Sequence, residues 1–95
     1  MGKGIILLGS NIEPAKNIRL GASLLAKKME ITKASHIWQT PPIGTEGPVF
    51  YNAAVLCDST LDEIEIKSTI LRPIEEQMGR IRTENKYEPR TIDLD

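Results

Sequence analysis

The residues Gly4-Ile5-Ile6-Leu7-Leu8 form a wholly apolar run, closed by the turn cluster Gly9-Ser10-Asn11. A run so short and so apolar predicts a central, buried strand. A helix should follow, with Ser10 or Asn11 as candidate caps and Pro14 near its first turn. Ile18, Ala22, Leu25 and Met29 then recur at spacings that put them on one stripe. Lys27 and Lys28 sit near the helix end, where positive charge suits the dipole. The β-branched stretch Ile31 to Thr40 predicts a second strand. Thr40-Pro-Pro-Ile-Gly-Thr-Glu-Gly-Pro48 cannot be regular structure, with its prolines and glycines crowded together. Val49 to Cys57 predicts a third strand, apolar on both faces. A second helix should begin near Thr60-Leu-Asp-Glu63, which has capping-box spacing. It would carry Ile64, Leu71, Ile74 and Met78 on one face and end at Gly79 as the C′ residue. Pro73 should kink it, since an interior proline costs about 3 kcal/mol. Thr91-Ile-Asp-Leu-Asp95 alternates as a last short strand. The order β-α-β-β-α-β is the ferredoxin-like, α+β arrangement: an antiparallel sheet with both helices on one face.

Composition removes several classes of function. With 40% hydrophobic and 26% charged residues the chain is too apolar to be disordered. Its 95 residues suit one domain, spanning 1–95, with a small core. A formal net charge of −1 gives no electrostatic basis for binding nucleic acid or an anionic membrane. No window approaches the ~18 apolar residues of a membrane span, and the start lacks a signal-peptide cleavage region. A cytoplasmic protein is expected. The single cysteine, Cys57, lies in an apolar run and reads as a buried structural thiol. His36 stands alone, without a second histidine or a nearby cysteine to form a metal set.

A few stretches could carry chemistry. Asp93 and Asp95 are at i and i+2 of a strand, so they share a face. Two carboxylates at that separation suit Mg²⁺, which takes one or two of them and leaves its other positions to water and phosphate; on spacing alone, a solvated strand end is the favoured reading. Arg80, Arg82 and Arg90 lie close in sequence to that pair. Guanidinium groups bind phosphate in a fork and never lose their charge, although ion pairs with Glu75, Glu84 or Glu88 would also account for them. Phe50 and Asn52 share a strand face, a ring beside an amide that suits a planar heterocycle, or else a core phenylalanine and a turn-capping asparagine. Gly9, lacking a side chain, would let a ligand approach the backbone.

Taken jointly, Leu8-Gly-Ser-Asn11, Ser35-His-Ile-Trp-Gln-Thr-Pro-Pro-Ile-Gly44, Phe50-Tyr-Asn52, Glu75-Glu-Gln-Met-Gly-Arg-Ile-Arg82 and Tyr87-Glu-Pro-Arg-Thr-Ile-Asp-Leu-Asp95 resemble the 6-hydroxymethyl-7,8-dihydropterin pyrophosphokinase family over essentially the whole chain. The resemblance implies transfer of the β,γ-diphosphate of ATP to the hydroxymethyl group of a reduced pterin, with release of AMP, in folate biosynthesis. It assigns Asp93 and Asp95 to two Mg²⁺ ions, and Arg80 and Arg90 to assisting transfer. Glu75, Arg80, Arg82, Tyr87 and Arg90 fall at ATP-binding positions. Gly9, Thr40, Pro41, Ile43, Phe50, Asn52 and Asp93 fall at pterin-binding positions. The basic segment from Gly79 to Pro89 would be a flexible loop closing over both substrates.

The departures carry expectations of their own. Members of the family continue past Asp-Leu-Asp, through a segment that supplies nucleotide contacts and a second pterin-stacking ring, so a short member with an incomplete site is expected. Tyr87 stands where tryptophan is common in the family, and Glu88 where glycine is. A different class of function is a non-catalytic pterin- or nucleotide-binding module, or a fragment that associates into a homodimer through the surface that such a segment would cover.

Overall fold

In the computed structural model, residues 2–41, 48–80 and 91–95 are described. The strands are β1 (Gly2–Ser10), β2 (Glu30–Ala34), β3 (Trp38–Thr40), β4 (Phe50–Ser59) and β5 (Asp93–Leu94). The helices are α1 (Pro14–Lys28), α2 (Glu63–Ile66) and α3 (Arg72–Gln77), the last two joined by a π-helical segment, Lys67–Leu71. All strand pairs are antiparallel, in the order β2-β4-β1-β5, with β3 also paired to β4. The α+β architecture and its ferredoxin-like strand order agree with the sequence.

β1 does run through the middle of the sheet, between β4 and β5, but it is covered on one face only. Ile6 and Leu8 are buried against the helices, whereas Ile5 is 67% and Leu7 48% exposed. The apolar run therefore reflects a strand with one core face and one open face. Ala53, Val55 and Cys57 of β4 and Leu94 of β5 continue the covered face. Ile18 and Leu25 of α1, Ile70 and Leu71 of the π segment and Ile74 of α3 complete it, with Ala22 and Met29 packed alongside. Gly21 lets α1 come close: a Cβ there would lie 3.1 Å from Ile92 Cδ1. Burial lifts the Cys57 thiol pKa above its ordinary value, backbone hydrogen bonding at Gly4 opposes this in part, and Asp58 adds to the rise. That fits an inert core thiol.

Several local expectations need correction. Neither Ser10 nor Asn11 caps α1. Its N-cap is Glu13, in a left-handed conformation (φ 39°) without a side-chain cap bond, and the Asn17 amide instead donates to the Ile12 carbonyl at 2.6 Å. The predicted second strand divides in two because Ser35 replaces ladder bonding with its side chain. Its N–H donates to the Ala54 carbonyl, and its hydroxyl accepts from the Ala54 N–H, both at 2.8 Å. The second helix is capped by Asp62, not Thr60: the carboxylate accepts from Glu65 N–H at 2.8 Å. Pro73 does not break the helix. The π segment widens the spiral just before it, so Arg72 N–H reaches Lys67 O, and the proline falls in the first turn of α3, where its missing donor costs little. The extra residue also rotates the apolar face, which leaves Ile64 79% exposed. Gly79 closes α3 as expected, at φ 84°.

The rotation makes a sharp contrast. Ile74→Ala should cost about 2–5 kcal/mol in urea unfolding, as a cavity in a packed core does. Ile64→Ser should stay within about 0.5 kcal/mol, as exposed positions do. Equal losses at the two positions would contradict the π-helical register.

Candidate active site

The open face of the sheet is where the chemistry-bearing residues collect. Register puts Trp38 opposite Asn52, Asn52 opposite Gly9, and Gly9 opposite Asp93, one row across β3, β4, β1 and β5. Thr40 and Phe50 form the adjacent pair. A Cβ built on Gly9 would lie 3.7 Å from Asn52 Oδ1 and 3.9 Å from both Asp93 Cβ and Phe50 Cδ1. The missing side chain therefore opens a small hollow floored by backbone and walled by a ring, an amide and a carboxylate. Asn52 Nδ2 donates to Thr40 Oγ1 at 3.0 Å and to the Trp38 carbonyl at 3.3 Å. Those bonds orient the amide so that its oxygen, an acceptor, faces the hollow.

Beside the hollow, β5 carries the acidic pair. Leu94 points into the core, and Asp95 pairs with Leu7 through reciprocal backbone bonds of 2.9 and 3.0 Å. Each aspartate has a basic partner from the helical layer. Arg80 Nη1 donates to Asp93 Oδ1 at 2.6 Å, and Lys67 Nζ lies 3.6 Å from Asp95 Oδ1. Arg80 is held in turn by Glu75, which is only 2% exposed. Glu75 Oε2 accepts from Arg80 at 2.7 Å and from Leu94 N–H at 2.9 Å, while Oε1 accepts from Arg72 at 2.8 Å. The helix end is set for this. Gly79 N–H bonds to Glu76 O and Arg80 N–H to Glu75 O, the paired closure of a Schellman motif. That turn brings Arg80 back beneath β5, where it also reaches the Ile92 carbonyl.

Of the residues singled out in the sequence, Gly9, Thr40, Phe50, Asn52 and Asp93 come together on the open face, with Pro41 next to them in the chain and exposed. Glu75 lies under β5, where it shares a cleft of about 120 Å³ with Arg72, Glu76 and Arg80. Ile43, Arg82, Tyr87 and Arg90, together with the loop they mostly occupy, lie outside the described residues. Sequence reasoning passed over Trp38 and Arg72. The i, i+2 spacing of Trp38 and Thr40 was a usable signal for the first. Arg72, three residues before Glu75 on a helical surface, could have been found as its ion partner. A cleft of about 460 Å³ lies elsewhere: it follows β1 from Gly2 to Ile6 and is lined from the acidic pair by Asp95.

An antiparallel sheet layered by helices on one side, with a ring, an amide and two carboxylates gathered on the other, defines an α+β protein of ferredoxin-like arrangement. The family model described as 7,8-dihydro-6-hydroxymethylpterin-pyrophosphokinase (HPPK) matches residues 5–95, and the chain belongs to that family. It is 37% identical over 94 residues to the 2-amino-4-hydroxy-6-hydroxymethyldihydropteridine pyrophosphokinase of Bacillus subtilis (strain 168), covering 95% of this chain and 55% of that one. It is 35% identical over 94 residues to a folate synthesis bifunctional protein of Arabidopsis thaliana, covering 96% of this chain and 19% of the relative. A mitochondrial folate synthesis bifunctional protein of Pisum sativum is 37% identical over 95 residues, with 96% and 18% covered. The chain thus spans about half the length of the bacterial relative. No helix among the described residues is long and apolar enough to cross a membrane.

Glu75 is the residue on which the acidic pair's placement rests. Glu75→Ala would leave the Leu94 N–H without its acceptor in the interior and take from Arg80 one of its two carboxylates, Asp93 remaining; breaking a buried pair in this way costs about 3–5 kcal/mol. Chemical denaturation should show a loss of that size, and a much smaller one for Lys16→Ala, whose pair with Glu13 is exposed.

Proposed function

We propose that this chain forms the pterin- and metal-binding part of a pyrophosphokinase acting on ATP and 6-hydroxymethyl-7,8-dihydropterin in the cytoplasm. The observation that carries the reading is the hollow at Gly9. A planar heterocycle laid there can stack on Phe50 and donate an N–H to Asn52 Oδ1, with Asp93 beside it. Thr40, Pro41 and Ile43 would shape the rim. The donor set at β5 suits Mg²⁺: two hard carboxylates spaced i, i+2. Asp93 and Asp95 would hold two such ions. The ions would supply charge neutralisation along the polyphosphate.

In the proposed reaction the pterin hydroxyl oxygen attacks the β-phosphorus of ATP in line. The bond from that phosphorus to the oxygen bridging to the α-phosphate breaks, AMP leaves, and the hydroxyl proton passes to solvent. The chain's own task is positioning and charge. Phe50 and Asn52 fix the ring, the aspartates fix the phosphate end, and Arg80, Arg82 and Arg90 offset phosphate charge. Tyr87 and Glu75 belong to the nucleotide side, Glu75 by supporting Arg80. A second reading is a non-catalytic pterin- or nucleotide-binding module, or a chain that associates with itself; the exposed Ile5 and Leu7 support the latter.

Gly9→Ala separates these roles. Its new methyl group meets only ordinary van der Waals contacts and its φ is not positive, so stability should hold. The methyl group would occupy the hollow, and calorimetry should show pterin binding weakened by about tenfold, or about 1.4 kcal/mol. In the same preparation, AMP should form from ATP, Mg²⁺ and the hydroxymethyl pterin. Binding without AMP supports the module, and no pterin binding by the unaltered chain overturns the reading.

A further inference from the structure

The two aspartates proposed as metal ligands each carry a cation supplied by the protein. Arg80 sits on Asp93 at 2.6 Å, and Lys67 lies 3.6 Å from Asp95. Arg80 is not a side chain that merely drifted there. It is 9% exposed, and the Glu75 carboxylate that fixes it is itself buried and braced by Arg72 and the Leu94 amide. Nη1 alone makes the described bonds to Glu75, Asp93 and the Ile92 carbonyl. A guanidinium keeps its charge at every pH a protein meets, so Asp93 holds a permanent positive neighbour in a partly desolvated place. Among the described residues the charges of this group balance: Glu75, Asp93 and Asp95 against Arg72, Arg80 and Lys67.

We infer that Arg80, with Lys67 as a weaker companion, sets the affinity of the acidic pair for cations, making the pair a poor trap for a free divalent ion and reserving it for one arriving on a polyphosphate. This rests on the reading of Asp93 and Asp95 as metal ligands. A bare divalent ion approaching the pair must compete with Arg80 for Asp93 Oδ1. An ion carried by a polyphosphate brings negative charge with it, and that charge can draw on the same guanidinium. Selection then occurs by the charge of the whole ligand and not by coordination number alone.

The test is titration of the full chain with Mn²⁺, followed by electron paramagnetic resonance, first without nucleotide and then as Mn²⁺–ATP. Arg80→Met should bind free Mn²⁺ about tenfold more tightly, since a unit charge a few ångströms away has been removed. Arg80→Lys, which keeps the charge, should return the affinity toward that of the unaltered chain. Lys67→Met should tighten free Mn²⁺ by about two- to threefold, because its pair is exposed and screened. That substitution leaves the buried network intact, so it reports even where Arg80→Met does not fold. A merely structural role for Arg80 would lower the melting temperature without tightening Mn²⁺. Unchanged or weaker free-ion binding in both Met variants overturns the inference. The underlying reading fails separately, if Asp93→Asn leaves Mn²⁺–ATP binding untouched.

Discussion

Glu75 is a carboxylate the fold cannot leave alone. Taken out of water, it must be matched by donors, and it draws those donors from three different parts of the chain. Its side chain receives Arg72 from its own helix, Arg80 from the turn beyond Gly79, and the Leu94 amide from β5. Its backbone carbonyl receives the Arg80 N–H. One residue therefore fixes where the helix stops, where the last strand lies and which way Arg80 points. A buried pair of this kind adds little net stability compared with apolar packing. Its consequence here is positional, because β5 is short and has few side chains of its own to hold it in register.

The second constraint is that every helix lies on the same side of the sheet. β1 and β4 alternate accordingly, with Ile6, Leu8, Ala53, Val55 and Cys57 inward and Leu7, Gly9, Asn52 and Ala54 outward. The outward set cannot be a core, so it is available for polar and aromatic groups that a core would reject. Gly9 is where this matters most. Any side chain at that position of the row would fill the space between Phe50, Asn52 and Asp93.

Sequence periodicity exposed much of this arrangement. The i, i+2 pairs Phe50/Asn52 and Asp93/Asp95 and the glycine at the end of α3 are local signals, and local signals survive in one dimension. Ile64 misled because periodicity assumes one residue spacing throughout a helix, and the π segment ahead of Pro73 inserts a residue into it. The Glu13 cap was invisible for the opposite reason: no side-chain bond marks it, so no residue type announces it. The partnership of Arg80 with Asp93 spans a gap in sequence that no short pattern crosses. It follows from where Glu75 is buried, and burial of a glutamate contradicts what its type leads one to expect.

The open face is not chemically uniform, and the difference follows from β1 itself. Toward Ser10 it offers a hollow with a ring, an amide oxygen and a carboxylate. Toward Gly2 it offers Ile5 and Leu7 across from Leu56 and Ala54, beside an edge that β5 leaves behind after Leu7. Asp95 stands at the junction, lining the edge cleft while its neighbour Asp93 lines the hollow. Asp95 bonds to Leu7 through its backbone and lies beside Lys67 through its side chain, so packing next to Leu7 and charge at the acidic pair cannot be altered independently.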